Sequence, residues 1–383
     1  MYTAKSDLFT KCLFYFFKIF GVAPISYRSG VIPPFATSRL AIFHNVLLSC
    51  PVIGFSYFSL RHALYSDNAG RIAFEKIVDT VQTSFTILTA LFVLAVFCIL
   101  QERVVDLANR LQAIYKLTTC MTYKMGHDVN IGPSSLHTSV TRIMLVTLMT
   151  AVLWFITTFL NFDVFLLYFL VMTLDNLVIF SMLLQYSLVL KVLHYLYQWV
   201  NADLTSLLKT ANADDFPKTM TRLSQLRCIH VSLSHVSRDV SCFYSLPMLV
   251  CFINAFLALI IYGYYVVKAV VVQSSSIPTV VILHCLALVV MHLLSIAILA
   301  RAAGITVRES KATGEIISES IAICQSERVV KQLKEFSIYL LHKSVGFCVF
   351  HLFPLNETLV VSIISSITTY LVILIQFKES NQQ

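Results

Sequence analysis

The sequence predicts an all-α membrane protein: seven transmembrane helices, N-terminus cytoplasmic and C-terminus extracellular, with the helices extended into a cytoplasmic helical base. Three observations carry this. Of 383 residues, 57% are hydrophobic and 13% charged, about half the charged share of a soluble domain. Seven apolar segments each approach the ~20 residues that a helix needs to cross hydrocarbon while satisfying its own backbone hydrogen bonds. The Lys and Arg residues fall on alternate sides of those segments, twenty-three against five, and cationic loops stay in the cytoplasm. The same composition excludes a soluble globular domain, intrinsic disorder and low-complexity chains. The net charge of +8 marks topology, and no nucleic-acid partner is expected.

In chain order, residues 1–39 form a cytoplasmic arm. Its apolar run Cys12 to Phe17 is bracketed by Lys11 and Lys18 and followed by no small-residue cleavage site, so an interfacial helix is expected and not a signal peptide. Span one runs from Leu40 to Leu60 and span two from Val78 to Leu100. Spans three (Ile143 to Asn161) and four (Val164 to Leu190) are separated by so few residues that one helix covering both would reach about 70 Å, so they form a hairpin. Spans five (Leu246 to Val267) and six (Ile277 to Ala300) complete a bundle over 40–300. A cytoplasmic segment covers 301–356, the last span 357–377 and an extracellular tail 378–383. The internal loops of about 40 and 55 residues exceed simple connectors. Glu102 to Leu117 and Ser326 to Leu341 alternate apolar and charged residues at helical spacing, as amphipathic extensions of the spans would.

The polar residues exclude several chemistries. Ten cysteines are scattered without a CxxC pair and read as small buried hydrophobes. Eleven histidines show no metal-ligand spacing; His230 and His235 come closest, five apart. There is no glycine-rich phosphate loop, and no His, Asp, Glu or Cys cluster with catalytic spacing. Neither enzyme activity nor a cofactor or metal is expected. The sequon Asn356-Glu357-Thr358 faces the cytoplasm on this topology, where it stays unmodified.

Span seven is the most informative segment. Ser362, Ser366, Thr369, Ile373 and Gln376 follow at intervals of four, three, four and three, a stripe about 80° wide, opposite Val360, Ile363, Ile364, Ile367, Leu371, Leu374 and Ile375. Small hydroxyl residues on a membrane helix serve close helix packing or line a wet path with a hydrophobic constriction that gates ions by dewetting. One helix cannot enclose a pore, so conduction requires several copies about an axis.

The segment Thr369-Tyr370-Leu371-Val372-Ile373-Leu374-Ile375-Gln376-Phe377 resembles the Thr-Tyr, five apolar residues, Gln-Phe signature that closes the last span of insect gustatory receptors, and the resemblance extends more loosely along the whole chain. It implies a tastant-gated nonselective cation channel in the plasma membrane of a sensory neuron. The implied assembly is a homotetramer, or a heteromer with related receptors, with the last helix of each subunit lining a central pore and the cytoplasmic helices forming an anchor domain. The pore-lining residues are then Ser362, Ser366, Thr369, Ile373, Gln376 and Phe377, with Gln376 and Phe377 at the outer gate and Tyr370 packing beside it. Sweet-taste members often carry an acidic residue after Thr-Tyr, where this chain has Leu371. A bitter or other non-sugar tastant is therefore favoured over a fructose-type sugar.

The resemblance also implies a small-molecule pocket in the outer half of spans two to six. Candidate contacts are Gln82 and Thr83 on span two, Trp154 and Thr158 on span three, Tyr168 on span four, Tyr262 and Tyr265 on span five, and His284 on span six. Aromatic rings with polar tips suit small, largely apolar ligands, although Tyr and Trp near a membrane end also form interfacial belts. Asp175 lies near the middle of span four, where an ionisable group costs at least about 2.5 kcal/mol; it forms either a pocket floor or a structural pair with a neighbouring helix. The competing classes are a G-protein-coupled receptor, which would have an external N-terminus, and a transporter, which would show broken helices and inverted repeats.

Overall fold

A computed structural model describes residues 11, 13–28, 31–65, 73–125, 133–160, 166–209, 216–271, 279–324 and 326–380, some of them without side-chain detail. Helical residues 13–19 (α1) precede a short antiparallel hairpin, β1 (Ile25–Tyr27) and β2 (Phe35–Thr37), with Ser26 opposite Ala36. Then come α2 (Arg39–Tyr65), α3 (Ala73–Ile99), α4 (Gln101–Met125), α5 (Pro133–Leu160), α6 (Leu166–Lys209), α7 (Phe216–Val271), α8 (Thr279–Ile323) and α9 (Glu327–His342). A second hairpin, β3 (Cys348–Val349) and β4 (Phe353–Pro354), leads into α10 (Glu357–Ser380).

Seven of these helices carry the seven expected spans. Among the described residues, five stretches are long and apolar enough to cross a bilayer: Ile77–Ile99, Leu136–Thr157, Thr173–Lys209, Pro217–Val270 and Thr279–Ile323. Arg39–Gly54 and Glu357–Ile373 are shorter apolar stretches within α2 and α10. Helices α6, α7 and α8 contain 44, 56 and 45 residues, about 66, 84 and 68 Å at 1.5 Å per residue. Each is at least twice the ~30 Å of hydrocarbon, so each runs on beyond its span. The sequence changes character where it does: Lys191 follows the apolar part of α6, Arg301 follows that of α8, and Ser245-Leu246-Pro247 opens that of α7.

These extensions, with α4 and α9, pack into the helical base that the amphipathic segments predict. Val329, Leu333 and Phe336 of α9 are buried at intervals of four and three, against a core holding Leu196, Tyr197, Trp199, Leu226 and Leu233. Polar groups in this core complete one another. Asn201 Nδ2 donates to Glu309 O at 2.9 Å and Glu309 Oε1 at 2.8 Å, while its Oδ1 accepts from Thr313 Oγ1 at 2.6 Å. Arg222 donates to Asp203 at 2.6 Å and lies 5.8 Å over the Trp199 ring. Tyr197 and Ser237 share a hydrogen bond of 3.2 Å, and Thr306 donates to Leu190 O at 3.0 Å.

The N-terminal arm is held by side chains. Helix α1 turns Phe14 and Phe17 into the protein and leaves Tyr15 and Ile19 outward, so protein contacts fix it in addition to any interface. Gly21 turns the chain at φ +77, where a Cβ would collide with Leu94. Asn109 reads strand β2 as a neighbouring strand would, accepting from Phe35 N at 3.1 Å and donating to Phe35 O at 2.9 Å. Asn45 holds Gly21 O at 2.6 Å, and Gln185 holds Val22 O at 2.9 Å while accepting from Tyr244 Oη at 3.0 Å.

One expectation changes, and the sequon gains a role. Cys251 and Cys285 are buried, but Cys50, Cys120, Cys228 and Cys242 are exposed. The sequon asparagine serves the fold directly, since Asn356 Oδ1 accepts from Leu359 N at 3.3 Å and Thr358 Oγ1 at 2.6 Å. It caps α10, with Glu357 in the first turn where negative charge is favourable.

Candidate functional site

Helix α10 has two unlike faces. Leu359, Val360, Ile363, Ile367 and Leu371, spaced as one helical stripe, pack against the core, and the helix contacts α7 and α8. Gly263 of α7 permits the approach, since a Cβ there would lie 3.3 Å from Leu371. The Tyr370 ring meets Phe256 edge-on with centroids 5.9 Å apart, a favourable aromatic geometry. Ser362, Ser366, Thr369, Ile373 and Gln376 are all exposed, Ile373 by 39%. The hydroxyls bond back to their own helix, Ser362 to Thr358 O at 3.0 Å and Thr369 to Ser365 O at 3.1 Å. The polar stripe therefore faces away from its own bundle and does not mediate helix packing within the chain. The Phe377 side chain lies outside the described residues.

The ligand candidates are distributed over the upper bundle. Gln82 and Thr83 are each 5% exposed and Trp154 2%; Tyr262, Tyr265 and His284 are half-buried. The side chains of Thr158 and Tyr168 lie outside the described residues. The described contacts gather two groups at the α3–α7 interface. Gln82 Nε2 lies 3.3 Å from Thr86 Oγ1 and 3.4 Å from Asn254 Oδ1, which also accepts from Thr86 at 3.0 Å. Tyr265 donates to Asp79 Oδ1 at 2.7 Å. Trp154, Asp175 and His284 lie on α5, α6 and α8, and these contacts do not join them to either group.

Valences remain open here. Gln82 Oε1 and Asn254 Nδ2 are buried without hydrogen-bond partners among the described residues. Asp175 is fully buried, and neither carboxyl oxygen has a partner among the described residues. On α6 and α8 below it, the His292 ring meets Phe180 at 5.1 Å and its Nδ1 is also unsatisfied. Leaving such groups unmade costs about 1–3 kcal/mol each, so each of them calls for an explanation. Sequence reasoning missed Thr86, Asn254 and Asp79. Asn254 was findable, as the lone amide in the apolar run Leu246 to Ile261.

Comparison with known proteins matches residues 10–381 to the family described as 7tm Chemosensory receptor. Putative gustatory receptor 28b of Drosophila melanogaster is 24% identical over 159 residues, 40% of this chain and 33% of that protein. Gustatory and pheromone receptor 32a of the same species is 33% identical over 95 residues, 25% of this chain and 20% of the other. The chain thus spans only about a third and a fifth of those relatives' lengths. The solved insect olfactory receptor OR5 from Machilis hrabei shares the fold, with a TM-score of 0.70 at 12% identity, covering 98% of this chain and 99% of its own. The same receptor in complex with eugenol gives 0.70 at 11% identity, with 97% and 98% covered.

Proposed function

The chain belongs to the 7tm chemosensory receptor family, and from that premise we propose that it is a gustatory receptor acting as a tastant-gated, nonselective cation channel. The observation that carries this reading is the α10 stripe, which is polar, continuous over four turns and turned away from the subunit that bears it. Four copies about an axis bring the stripes face to face around a wet path, with Ile373, Gln376 and Phe377 as the constriction and Tyr370 packing behind it. The subunits are identical or mixed with related receptors. The chain then divides into an arm (1–39), a ligand-binding bundle (40–300), an anchor segment (301–356), a pore helix (357–377) and a tail (378–383). The charge partition supports a base that faces the cytoplasm, and the family resemblance supports the plasma membrane of a sensory neuron.

The ligand is a small, largely apolar molecule with few polar groups. Three observations support this: the buried aromatic surface of the upper bundle, the unsatisfied amide, carboxyl and imidazole groups within it, and the eugenol complex of a receptor of the same fold. Leu371 after Thr369-Tyr370 favours a bitter or other non-sugar tastant. Gating follows if ligand binds more tightly to the subunit conformation in which the α10 helices stand apart.

The test is current recording from the chain expressed alone in a cell without related receptors, against sugars and bitter alkaloids. Ile373→Ala and Gln376→Ala, each assayed with surface expression, are expected to raise basal conductance or alter cation selectivity. Currents unchanged in both variants overturn the pore assignment.

A further inference from the structure

Below the spans, the middle of α7, the end of α9 and the segment that leaves α9 enclose an open cavity of about 70 Å³. Its polar lining is Ser234, His235, Arg238, Tyr339, Lys343, Ser344 and the backbone of Gly346, with His235, Arg238, Lys343 and Ser344 exposed to solvent. A single water needs about 10–15 Å³ by this kind of measure, so the cavity holds a group of several heavy atoms.

The local sequence explains the convergence. Ser234, His235 and Arg238 share one face of α7, at positions i, i+1 and i+4. Helix α9 stops at His342, Lys343 caps it with its N–H on Tyr339 O at 3.0 Å, and the chain departs through Ser344 and Gly346. Arg238 lies 3.3 Å from His235 Nδ1. A guanidinium only donates, so the ring nitrogen accepts, the imidazole proton sits on Nε2, and the guanidinium is oriented with donors to spare. The neighbouring carboxylates are already taken: Asp239 by Arg110 at 2.9 Å and Glu335 by Arg227 at 3.2 Å. Among the described residues, no acidic group lies within 4.0 Å of Arg238 or Lys343. Two cations, an imidazole and hydroxyls thus line one cavity, while the nearby carboxylates pair with other arginines.

We propose that this cavity binds a phosphate ester, of the kind borne by the headgroup of a phosphorylated inositol lipid or by its free soluble form. Arg presents paired donors to phosphate oxygens and Lys a compact point charge, and basic pockets between helices on the cytoplasmic side take such headgroups. Arg238 precedes Leu246, where the apolar run begins, by eight residues, about 12 Å of helix, which places the site within reach of the inner leaflet. The lining segment 343–346 also leads directly to the β3–β4 hairpin, where Phe350 N donates to Ser245 Oγ at 2.7 Å, and then to α10. A bound ester braces α7 and α9 against the linker that carries the pore helix, so occupancy regulates opening. This last step, and the placement beside the inner leaflet, rest on the function proposed above; binding does not.

The test uses the purified full chain in nanodiscs of phosphatidylcholine with or without phosphatidylinositol bisphosphate, with retained lipid read by native mass spectrometry. Inositol trisphosphate is titrated calorimetrically against the same protein. Arg238→Gln and Lys343→Gln are each expected to weaken binding about tenfold and together about a hundredfold, while Lys334→Gln, elsewhere on α9, leaves it unchanged. Equal affinity for the soluble probe and the lipid identifies a soluble ester as the source; retention of the lipid alone identifies a headgroup in the leaflet. Absence of binding to both probes, unaltered binding in the double variant, or an equal loss in Lys334→Gln overturns the site. Because no current is measured, these outcomes are independent of whether the chain conducts.

Discussion

The base and the upper bundle are built from the same long helices, yet they treat their buried polar groups in opposite ways. In the base, Asn201 satisfies Glu309 and Thr313, Arg222 satisfies Asp203, and Tyr197 meets Ser237. In the upper bundle, Asp175, Gln82, Asn254 and His292 each keep a buried atom without a partner. Closed networks rigidify and specify one packing, whereas open valences in low dielectric are costly unless something completes them. The difference teaches that the described networks of the base hold shape, whereas the open valences of the upper bundle are where the proposed ligand site can be tested.

The sharpest way to break the comparison is to open a valence in the base. Arg222→Ala removes the ion-pair partner of Asp203, whose side chain is only 6% exposed. Removing one partner of a buried ion pair costs about 3–5 kcal/mol, and the contact with Trp199 goes with it. We expect loss of folded protein in size-exclusion profiles, or a large fall in the thermal transition in detergent. A change within experimental scatter would show that the base does not depend on its closed network.

Three residues of the base depart from the pattern, since Gln112 Oε1, His194 Nδ1 and both ring nitrogens of His230 are buried without a partner among the described residues, and His230 allows a second test. His230 is buried between the rings of Tyr197 and Phe336, at 5.3 and 5.4 Å, and neither ring nitrogen has a partner. Burial lowers its pKa from 6.5 to about 4. The unfolded chain therefore binds this proton at a higher pH than the folded one. The stability His230 contributes is fully present above about pH 6.5, falls as the pH drops toward 4, and is level below that. The stability difference between wild type and His230→Phe should be constant above pH 7 and shift by about 3 kcal/mol across that window. A difference that stays flat through the window means that His230 is solvated in the folded state.

How far the sequence foretold this arrangement depended on the kind of information involved. The amphipathic helices were legible because periodicity is local: the segments expected over Glu102 to Leu117 and Ser326 to Leu341 are α4 and α9 to within a turn or two at each end. The α10 stripe was legible for the same reason, and its outward direction follows from the opposite apolar face finding α7 and α8. Two features were not legible. The grip of Asn109 on Phe35 joins residues 74 positions apart, and that of Gln82 on Asn254 joins residues 172 apart; no period in a single sequence encodes such a pairing. The cap role of Asn356 was also not legible because its Asn-x-Thr context is shared by a glycosylation acceptor and a helix cap, and only the backbone that follows distinguishes them. The basic cavity was hidden because Arg238 and Lys343 counted only toward the charge partition until the fold brought them together.

The smallest expected effect on stability falls at Asp175, and it separates the two regions most finely. If the upper bundle is open by design, Asp175→Asn changes almost nothing in the fold, since the substitution keeps the shape and no hydrogen bond from the described residues depends on the oxygens. Its thermal transition should shift by the equivalent of less than about 1 kcal/mol, with normal surface expression. Ligand sensitivity should fall by about tenfold, because one acceptor becomes a donor and a ligand group that donated to the carboxyl loses its partner, worth about 1–2 kcal/mol. If Asp175 instead pairs with a neighbouring helix through a contact made only in the assembled channel, the order of effects reverses, with expression and stability falling together while the surviving channels keep their ligand sensitivity. Dose–response curves normalised to surface protein distinguish these outcomes, and the second would extend the closed polar network of the base into the membrane.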